Sequence, residues 1–217
     1  MYTRALSSFT PTRMTSNGLT DVERLFVSIP FEGHARSWKE IPGNPEKQSA
    51  VLVPVLAEGE CFSLMLVERS KLLRRHPGQI SFPGGARDED DHGPVDTALR
   101  EFEEETGISG SKVEVIGNLT EEYAYSSDFI LYPVVGFLGR SFSAEDIRPD
   151  PVEVERIFTV PLAFFFGVPK MEEFFRNGMT FGYPVYTFKG LRIWGATAWI
   201  IRRLVIAMGK DPGPGCL

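Results

Sequence analysis

The chain has 217 residues, 42% of them hydrophobic, which is enough for one sizeable core, and its composition shows no break between two domains. Its formal net charge of −6 argues against nucleic acid as a partner, because nucleic-acid binding usually requires a basic face. The two cysteines, Cys61 and Cys216, indicate neither a disulfide framework nor a cysteine zinc site, and no apolar run approaches the roughly 20 residues of a membrane helix. We therefore expect a cytoplasmic protein without a nucleic-acid or membrane partner, and its oligomeric state stays open.

The N-terminal stretch contains two arginines, many hydroxyl side chains and no acidic residue. This composition also occurs in transit peptides, but the stretch has no clean amphipathic period, so a flexible tail is favoured. Thr20 predicts the cap of a short helix through Val27, and the proline- and glycine-rich stretch 29–48 predicts a loop. The expected organisation is a tail over residues 1–20, a single domain over 21–209 and a second tail over 210–217.

Four apolar runs bounded by turn residues predict strands over residues 50–56, 61–67, 113–119 and 130–138. Pro54 lies inside the first run. Because proline cannot donate to the hydrogen-bond ladder of a sheet, it predicts an edge strand or a bulged strand there. Pro133 is expected to interrupt the fourth run for the same reason.

The C-terminal stretch 191–208 predicts a turn into a helix, whose apolar stripe is formed by Ala198, Ile201, Val205 and Met208. A group of phenylalanines precedes it. We expect these side chains to fill or cover the core, although some could line a channel for substrate: Phe164, Phe165, Phe166, Phe174 and Phe175.

A further helix is predicted before Gly107, because apolar residues recur there at the spacing of one buried stripe: Val95, Ala98, Leu99 and Phe102. The last turns of this helix also carry Arg100 and the glutamates at 101, 103, 104 and 105. Like charges one turn apart cost roughly 0.2–0.5 kcal/mol per pair, and anions in the last turn oppose the helix macrodipole. A solvated acidic face is one interpretation. The other is a site for a hard divalent cation, which prefers carboxylate oxygens.

The residues REFEEETGI of this helix, together with the upstream FPGG, resemble the signature of the Nudix hydrolases. The family pattern has Gly, five residues, Glu, seven residues and Arg-Glu, whereas this chain has Gly85, five residues, Asp91, eight residues and Arg100. The resemblance implies an α/β protein with the Nudix fold, an α/β/α sandwich with a mixed central sheet. The alternation of strands and helices agrees with a layered α/β domain but does not by itself select this one.

The stretch before the helix resembles the extra motif of the coenzyme A diphosphatase branch of that family. The matching residues are Arg69, Ser70, Arg74, Gly78, Phe82, Pro83, Gly84 and Gly85. Val67 stands where that branch tends to have threonine. A later acidic loop that leads to VPL, and the segment WGATA, also resemble these relatives.

The resemblance implies Mg²⁺ or Mn²⁺ as the cofactor, held by Glu101, Glu104, Glu105 and the carbonyl of Gly84. The implied catalytic residues are Arg100, Glu104 and Glu153. Arg100 is three and four residues from Glu103 and Glu104, so it could hold a carboxylate in place. Glu153 is expected near the metal or the nucleophilic water, with an exposed loop carboxylate as the alternative.

Binding of the substrate is expected from the second motif, because guanidinium groups match phosphate oxygens. The implied residues are Arg69, Arg74, Gly78, Phe82 and Gly85. The loop after residue 119 is expected to shape the pocket, and its acids Glu121 and Glu122 could reach the metal, although loop acids usually face water.

The function implied is metal-dependent hydrolysis of the diphosphate bond of coenzyme A to 3′,5′-ADP and 4′-phosphopantetheine. Another small-molecule substrate, such as ADP-ribose or a nucleotide sugar, is the first alternative, since the same helix serves many nucleoside diphosphates. The second is a binding module without hydrolysis, which the longer loop and Asp91 keep open. The complete acidic run argues against that module, because an idle helix has no reason to retain such repulsion.

Overall fold

The computed structural model describes residue 38 and residues 47–58, 61–124, 128–138, 144–176 and 178–209. Both predicted tails and the helix predicted through Val27 lie outside these residues. Within them, neither helix is long and apolar enough to cross a membrane.

The described part contains eleven strands and two α-helices. The strands are β1 (Gln48–Glu58), β2 (Cys61–Arg69), β3 (Ile80–Ser81), β4 (Gly84–Ala86), β5 (Val113–Asn118), β6 (Glu122–Ala124), β7 (Phe129–Leu138), β8 (Val154–Pro161), β9 (Lys170–Arg176), β10 (Met179–Phe188) and β11 (Leu191–Trp194). The helices are α1 (Pro94–Thr106) and α2 (Gly195–Ala207). The four predicted strands are confirmed as β1, β2, β5 and β7.

Eight of the strands form one sheet, in which β3, β2, β1, β7 and β5 lie side by side. The strands β4, β6 and β8 pair with β1, β7 and β2. The central pair β1 and β7 is parallel and the other pairs are antiparallel, so the sheet is mixed. A second sheet contains three antiparallel strands in the order β11, β10, β9.

Alternate side chains of β1 reach the two faces of the large sheet. Leu52 packs in a cluster with Phe102 of α1, whereas Val53 packs in a different cluster with Ile201 of α2. All four side chains are 0% exposed. Each face of the sheet is therefore covered by a helix, and the predicted α/β/α sandwich with a mixed central sheet is confirmed.

The prediction of an edge or bulged strand at Pro54 is wrong, because β1 lies in the centre of the sheet. On one flank β1 pairs with β4 over residues 49–51 and with β2 only from Val55. The N–H of Leu52 donates to the carbonyl of Pro83 on this flank at 2.9 Å. In a strand, the backbone nitrogens of residues two apart face the same flank. The nitrogen of Pro54 therefore faces the gap between the two partner strands, where no ladder bond is lost.

Pro133 is accommodated in the same way, so β7 continues through it instead of being interrupted. On its antiparallel flank β7 pairs with β6 up to Leu131 and with β5 from Val134. The carbonyl of Pro133 accepts the N–H of Leu119 at 3.0 Å on that flank.

The C-terminal prediction is correct for the helix and wrong for the turn. Residues 191–194 form β11 and pair with β10, and the helix begins at Gly195. The predicted apolar stripe is confirmed, since Ala198, Ile201, Val205 and Met208 are all buried.

The expectation that the phenylalanines form core holds for one group of them. Phe165 is 1% exposed, and Phe164 and Phe166 pack against the same cluster. Phe174 instead lines a cavity, and Phe175 is 74% exposed because alternate residues of β9 point to opposite faces of the second sheet.

Candidate active site

Helix α1 is positioned by its apolar side and by a glycine at its end. Ala98 and Phe102 are fully buried against the sheet. Pro94 occupies the first turn, where its missing N–H costs nothing. Gly107 ends the helix in the left-handed region, at φ 72°, and its N–H donates to the carbonyl of Glu103. This register leaves the acidic face of α1 directed away from the apolar cluster.

Glu105 is the most deeply buried member of the acidic run, at 1% exposure. Its Oε2 accepts the N–H of Gly84 at 3.2 Å, and its Oε1 accepts a bond from Nη1 of Arg69 at 3.3 Å. Burial raises the pKa of this carboxyl to about 8, although the charge of Arg69 and the bond from Gly84 oppose the rise. The site therefore holds a carboxylate that a cation would stabilise.

This pKa predicts how the metal-free protein responds to pH. The carboxyl of Glu105 has an ordinary pKa of 4.5 when unfolded and about 8 when folded, so the folded state binds the extra proton between these values. The free energy of unfolding should therefore fall as pH rises through that window, with each pKa unit worth about 1.4 kcal/mol. We expect Tm in EDTA to fall by several degrees from pH 5 to pH 8.5, and Glu105→Gln to remove most of that fall. Equal slopes for the two proteins would contradict the prediction.

Arg100 gathers three carboxylates around one guanidinium. Its Nε and Nη2 donate to both oxygens of Asp91 at 3.2 and 2.9 Å. Its Nη1 donates to Glu101 at 2.8 Å and to Glu104 at 3.2 Å. Of the two partners expected from the sequence, Glu104 is bound, whereas Glu103 accepts the N–H of Gly110 at 2.9 Å.

Asp91 is held in place although its loop is one residue longer than the family pattern. Burial raises its pKa, but hydrogen bonds from Arg100 and Thr97 outweigh that effect and leave the pKa below its usual value. The backbone carbonyl of Asp91 accepts a bond from the indole N–H of Trp38 at 3.2 Å. The Trp38 ring packs edge-on against Tyr132 with centroids 5.1 Å apart. Trp38 was not predicted to belong to the site, because no local feature of the sequence links it to this loop.

Gly85 provides a cradle for the carboxylate of Glu101. A Cβ at this position would lie 2.3 Å from an oxygen of that carboxylate, so only glycine permits the approach. Burial raises the pKa of Glu101, and the negative charges of Glu104 and Glu153 raise it further. The charge of Glu153 also acts on Glu105.

Glu153 is brought to the cluster by its backbone. Its carbonyl accepts the N–H of Ser70 at 2.8 Å, which joins its loop to the end of β2. The same loop caps the end of α1, where the N–H of Asp150 donates to the carbonyl of Glu105 at 3.3 Å. The glutamate expected near the metal thus lies beside the acidic helix and is half-buried.

The donor set fits a hard divalent cation, because it consists of carboxylate oxygens that repel one another, one of them buried. In the part of the chain that the structure describes, no three acidic, histidine or cysteine side chains are already gathered as a metal-binding group. The oxygens of Glu101 and Glu104 contact Arg100, and those of Glu105 contact Arg69 and Gly84.

A cavity of about 470 Å³ adjoins the carboxylates. Arg69 and Gly84, the two residues that bind Glu105, also line this cavity. Its other lining residues include Phe82 beside them, and aromatic residues of the second sheet and α2: Phe174, Tyr183, Trp194 and Trp199. The last three were not predicted to line a pocket, since their convergence depends on tertiary packing.

The remaining predicted residues have different positions. Gly78 turns the chain at φ 68°, and its N–H donates to the carbonyl of Arg69 at 3.0 Å. Arg74 is exposed and is not among the described residues that line the cavity. Glu122 is buried and forms an ion pair with Arg203 at 2.7 Å, which joins β6 to α2. Tyr123 lies in β6, within the stretch that was predicted to be a loop, and it lines the cavity as expected.

Comparison with known proteins gives one family. The NUDIX domain model matches residues 46–178. The peroxisomal coenzyme A diphosphatase NUDT7 of Mus musculus is 45% identical over 116 residues, which are 54% of this chain and 48% of the mouse protein. The chain thus matches about half the length of that relative.

Bacterial relatives are covered more completely. The uncharacterized Nudix hydrolase NudL of Escherichia coli (strain K12) is 35% identical over 168 residues, 76% of this chain and 85% of that protein. Among solved structures, a MutT/nudix family protein from Enterococcus faecalis has a TM-score of 0.49 and 15% identity, covering 80% of this chain and 68% of that one.

Proposed function

The chain belongs to the Nudix hydrolase family, and we propose that it hydrolyses the diphosphate bond of coenzyme A or a coenzyme A derivative with a divalent metal ion. The products would be 3′,5′-ADP and 4′-phosphopantetheine. One observation carries this proposal: Arg69 and Gly84 contact the buried carboxylate of Glu105 and also line the 470 Å³ cavity. A diphosphate at that junction would meet the carboxylate cluster while the rest of the substrate occupied the cavity.

In this proposal Glu101, Glu104 and Glu105 hold Mg²⁺ or Mn²⁺, with the Gly84 carbonyl as a further ligand. When bound, the ion supplies counter-charge and Lewis-acid chemistry for the diphosphate oxygens. Arg100 keeps Glu101 and Glu104 oriented through its bonds at 2.8 and 3.2 Å.

Glu153 accepts the proton of the water that attacks phosphorus, since its charge already acts on two of the other carboxylates. The attack forms a new phosphorus–oxygen bond and breaks the bridging one. The leaving phosphate monoester departs with the bonding electrons. Each half of the substrate then carries one phosphate of the former diphosphate.

One observation supports coenzyme A over other diphosphates. The mouse relative is named a coenzyme A diphosphatase and shares 45% identity with half of this chain. The residues proposed to bind the substrate include Arg69 and Phe82, which line the cavity, and Gly85, whose lack of a side chain leaves room for the carboxylate of Glu101. Arg74 and Gly78 complete the proposed set from the preceding loop.

The proposal is tested by hydrolysis of coenzyme A, 3′-dephospho-coenzyme A, ADP-ribose and a nucleotide sugar, each with Mg²⁺, with Mn²⁺ and with EDTA. We expect metal-dependent turnover with the highest kcat/KM for coenzyme A, because only that substrate presents both a diphosphate and a separate phosphate. A higher kcat/KM for ADP-ribose or the nucleotide sugar would overturn the assignment of coenzyme A as the substrate. Turnover that persists in EDTA would overturn the proposed requirement for a metal ion.

Two expectations stay predictions alongside this function. They are the single domain over residues 21–209 and the cytoplasmic location.

A further inference from the structure

The charge of the cavity differs from that of the whole protein. The chain has a net charge of −6. Among the residues that the structure describes, those lining the cavity include Arg69, His76 and Arg176 but no aspartate or glutamate. A cavity with this lining in an acidic protein favours an anionic ligand.

The two arginines of the cavity belong to different parts of the fold. Arg69 ends β2 in the large sheet, and its guanidinium lies 3.3 Å from the carboxylate of Glu105. It therefore belongs to the end where the diphosphate is proposed to react. Arg176 ends β9 in the second sheet, where it pairs in register with Met179 of β10. One cation is thus placed with the carboxylates and the other on the wall formed by the second sheet.

The wall that carries Arg176 is aromatic. Phe174, two residues earlier on the same face of β9, lies 5.9 Å from the ring of Tyr183. The ring of Tyr183 lies 6.0 Å from that of Trp194, and all three line the cavity. Such a surface suits a flat heteroaromatic ring, and a guanidinium beside it suits a phosphate on the attached sugar.

We propose that Arg176 binds a second anionic group of the substrate, a phosphate monoester on the nucleoside, separate from the diphosphate at the carboxylates. This inference rests on the proposed function, in which that group is the 3′-phosphate of coenzyme A. From the sequence, Arg69 and Arg74 were expected to bind the phosphate groups of the substrate, and this inference adds Arg176 for the phosphate on the nucleoside. Arg176 was not predicted, because its place in the cavity depends on the pairing of β9 with β10.

The test compares Arg176→Gln with the wild type on coenzyme A and 3′-dephospho-coenzyme A. We expect kcat/KM for coenzyme A to fall roughly 10- to 100-fold, mainly through KM, because a charge-assisted bond is lost. The value for the dephospho form should change less than about twofold, which also shows that the variant is folded. Lys170→Gln is the matched control, since it removes one positive charge from the exposed start of the same strand. It should leave the ratio of the two substrates unchanged.

A binding measurement separates this inference from the proposed reaction. Calorimetry in EDTA should show that Arg176→Gln weakens the binding of 3′,5′-ADP and leaves that of 5′-AMP unchanged. Equal losses for both nucleotides, or no loss for either, would overturn the role of Arg176. A wild type that hydrolyses neither form of coenzyme A would overturn the proposed function, while the nucleotide comparison would still decide the role of Arg176.

Discussion

Replacing Glu105 by glutamine is expected to lower kcat by roughly a thousandfold or more, because it removes a charged oxygen ligand from the proposed metal site. The variant should nevertheless fold. Glutamine has nearly the same shape, and its single amide oxygen can still accept the bond from either Gly84 or Arg69. The measurement is kcat at saturating Mg²⁺ for Glu105→Gln and Glu104→Gln, with the substrate for which the wild type is most active.

The matched control for this experiment is Glu103→Gln. It makes the same charge change on the same helix, but Glu103 contacts the N–H of Gly110 and has no proposed part in catalysis. The metal-free Glu105→Gln protein should be as stable as the wild type or more so above pH 8, because a buried carboxylate no longer has to ionise. Unchanged turnover in both the 104 and 105 variants would refute the metal assignment.

Truncation of Phe102 to alanine is expected to destabilise the protein by about 3–5 kcal/mol, the usual cost of deleting a buried aromatic ring. The side chain is 0% exposed and packs with Leu52 of β1 and Tyr132 of β7. Urea unfolding of the metal-free protein measures the loss.

Val95→Ala is the control for this substitution, because Val95 lies on the same stripe of α1 but is only partly buried. It should cost clearly less than the Phe102 truncation. A loss below about 1 kcal/mol for Phe102→Ala would mean that the helix is not held to the sheet by this ring.

The parts of the fold that were predicted correctly have local signals. The stripe of α1 and its glycine end are readable from spacing, and so is the stripe of α2. The central position of β1 could not be read from the sequence. Pro54 is tolerated there because it lies between two partner strands, and those strands come from distant parts of the chain. The second sheet was missed for a different reason: the exposed face of β9 carries the apolar residues Met171 and Phe175, which hide the alternation of apolar and polar residues.

The candidate site shows the same division. The acidic run and the glycine pair were found because they are adjacent in the chain and match a known signature. Trp38 and Arg176 were not, since each reaches the site through pairing or packing with a distant segment. Asp91 is an intermediate case. The sequence showed an extra residue in its loop, but only the bonds to Arg100 show that the loop still delivers a carboxylate to that side chain.

The backbone bonds that join the loop of Glu153 to both β2 and α1 bear on how the site forms during folding. Arg69 and Glu105 are 36 residues apart in the chain, and Glu153 lies farther on. A chain in which only α1 had formed would carry the three glutamates proposed to hold the metal without Arg69, the Gly84 N–H or Glu153. Contacts between distant segments form late because loop closure must precede them. We therefore expect refolding to restore catalysis with the docking of β8 on β2, and not with the appearance of helix.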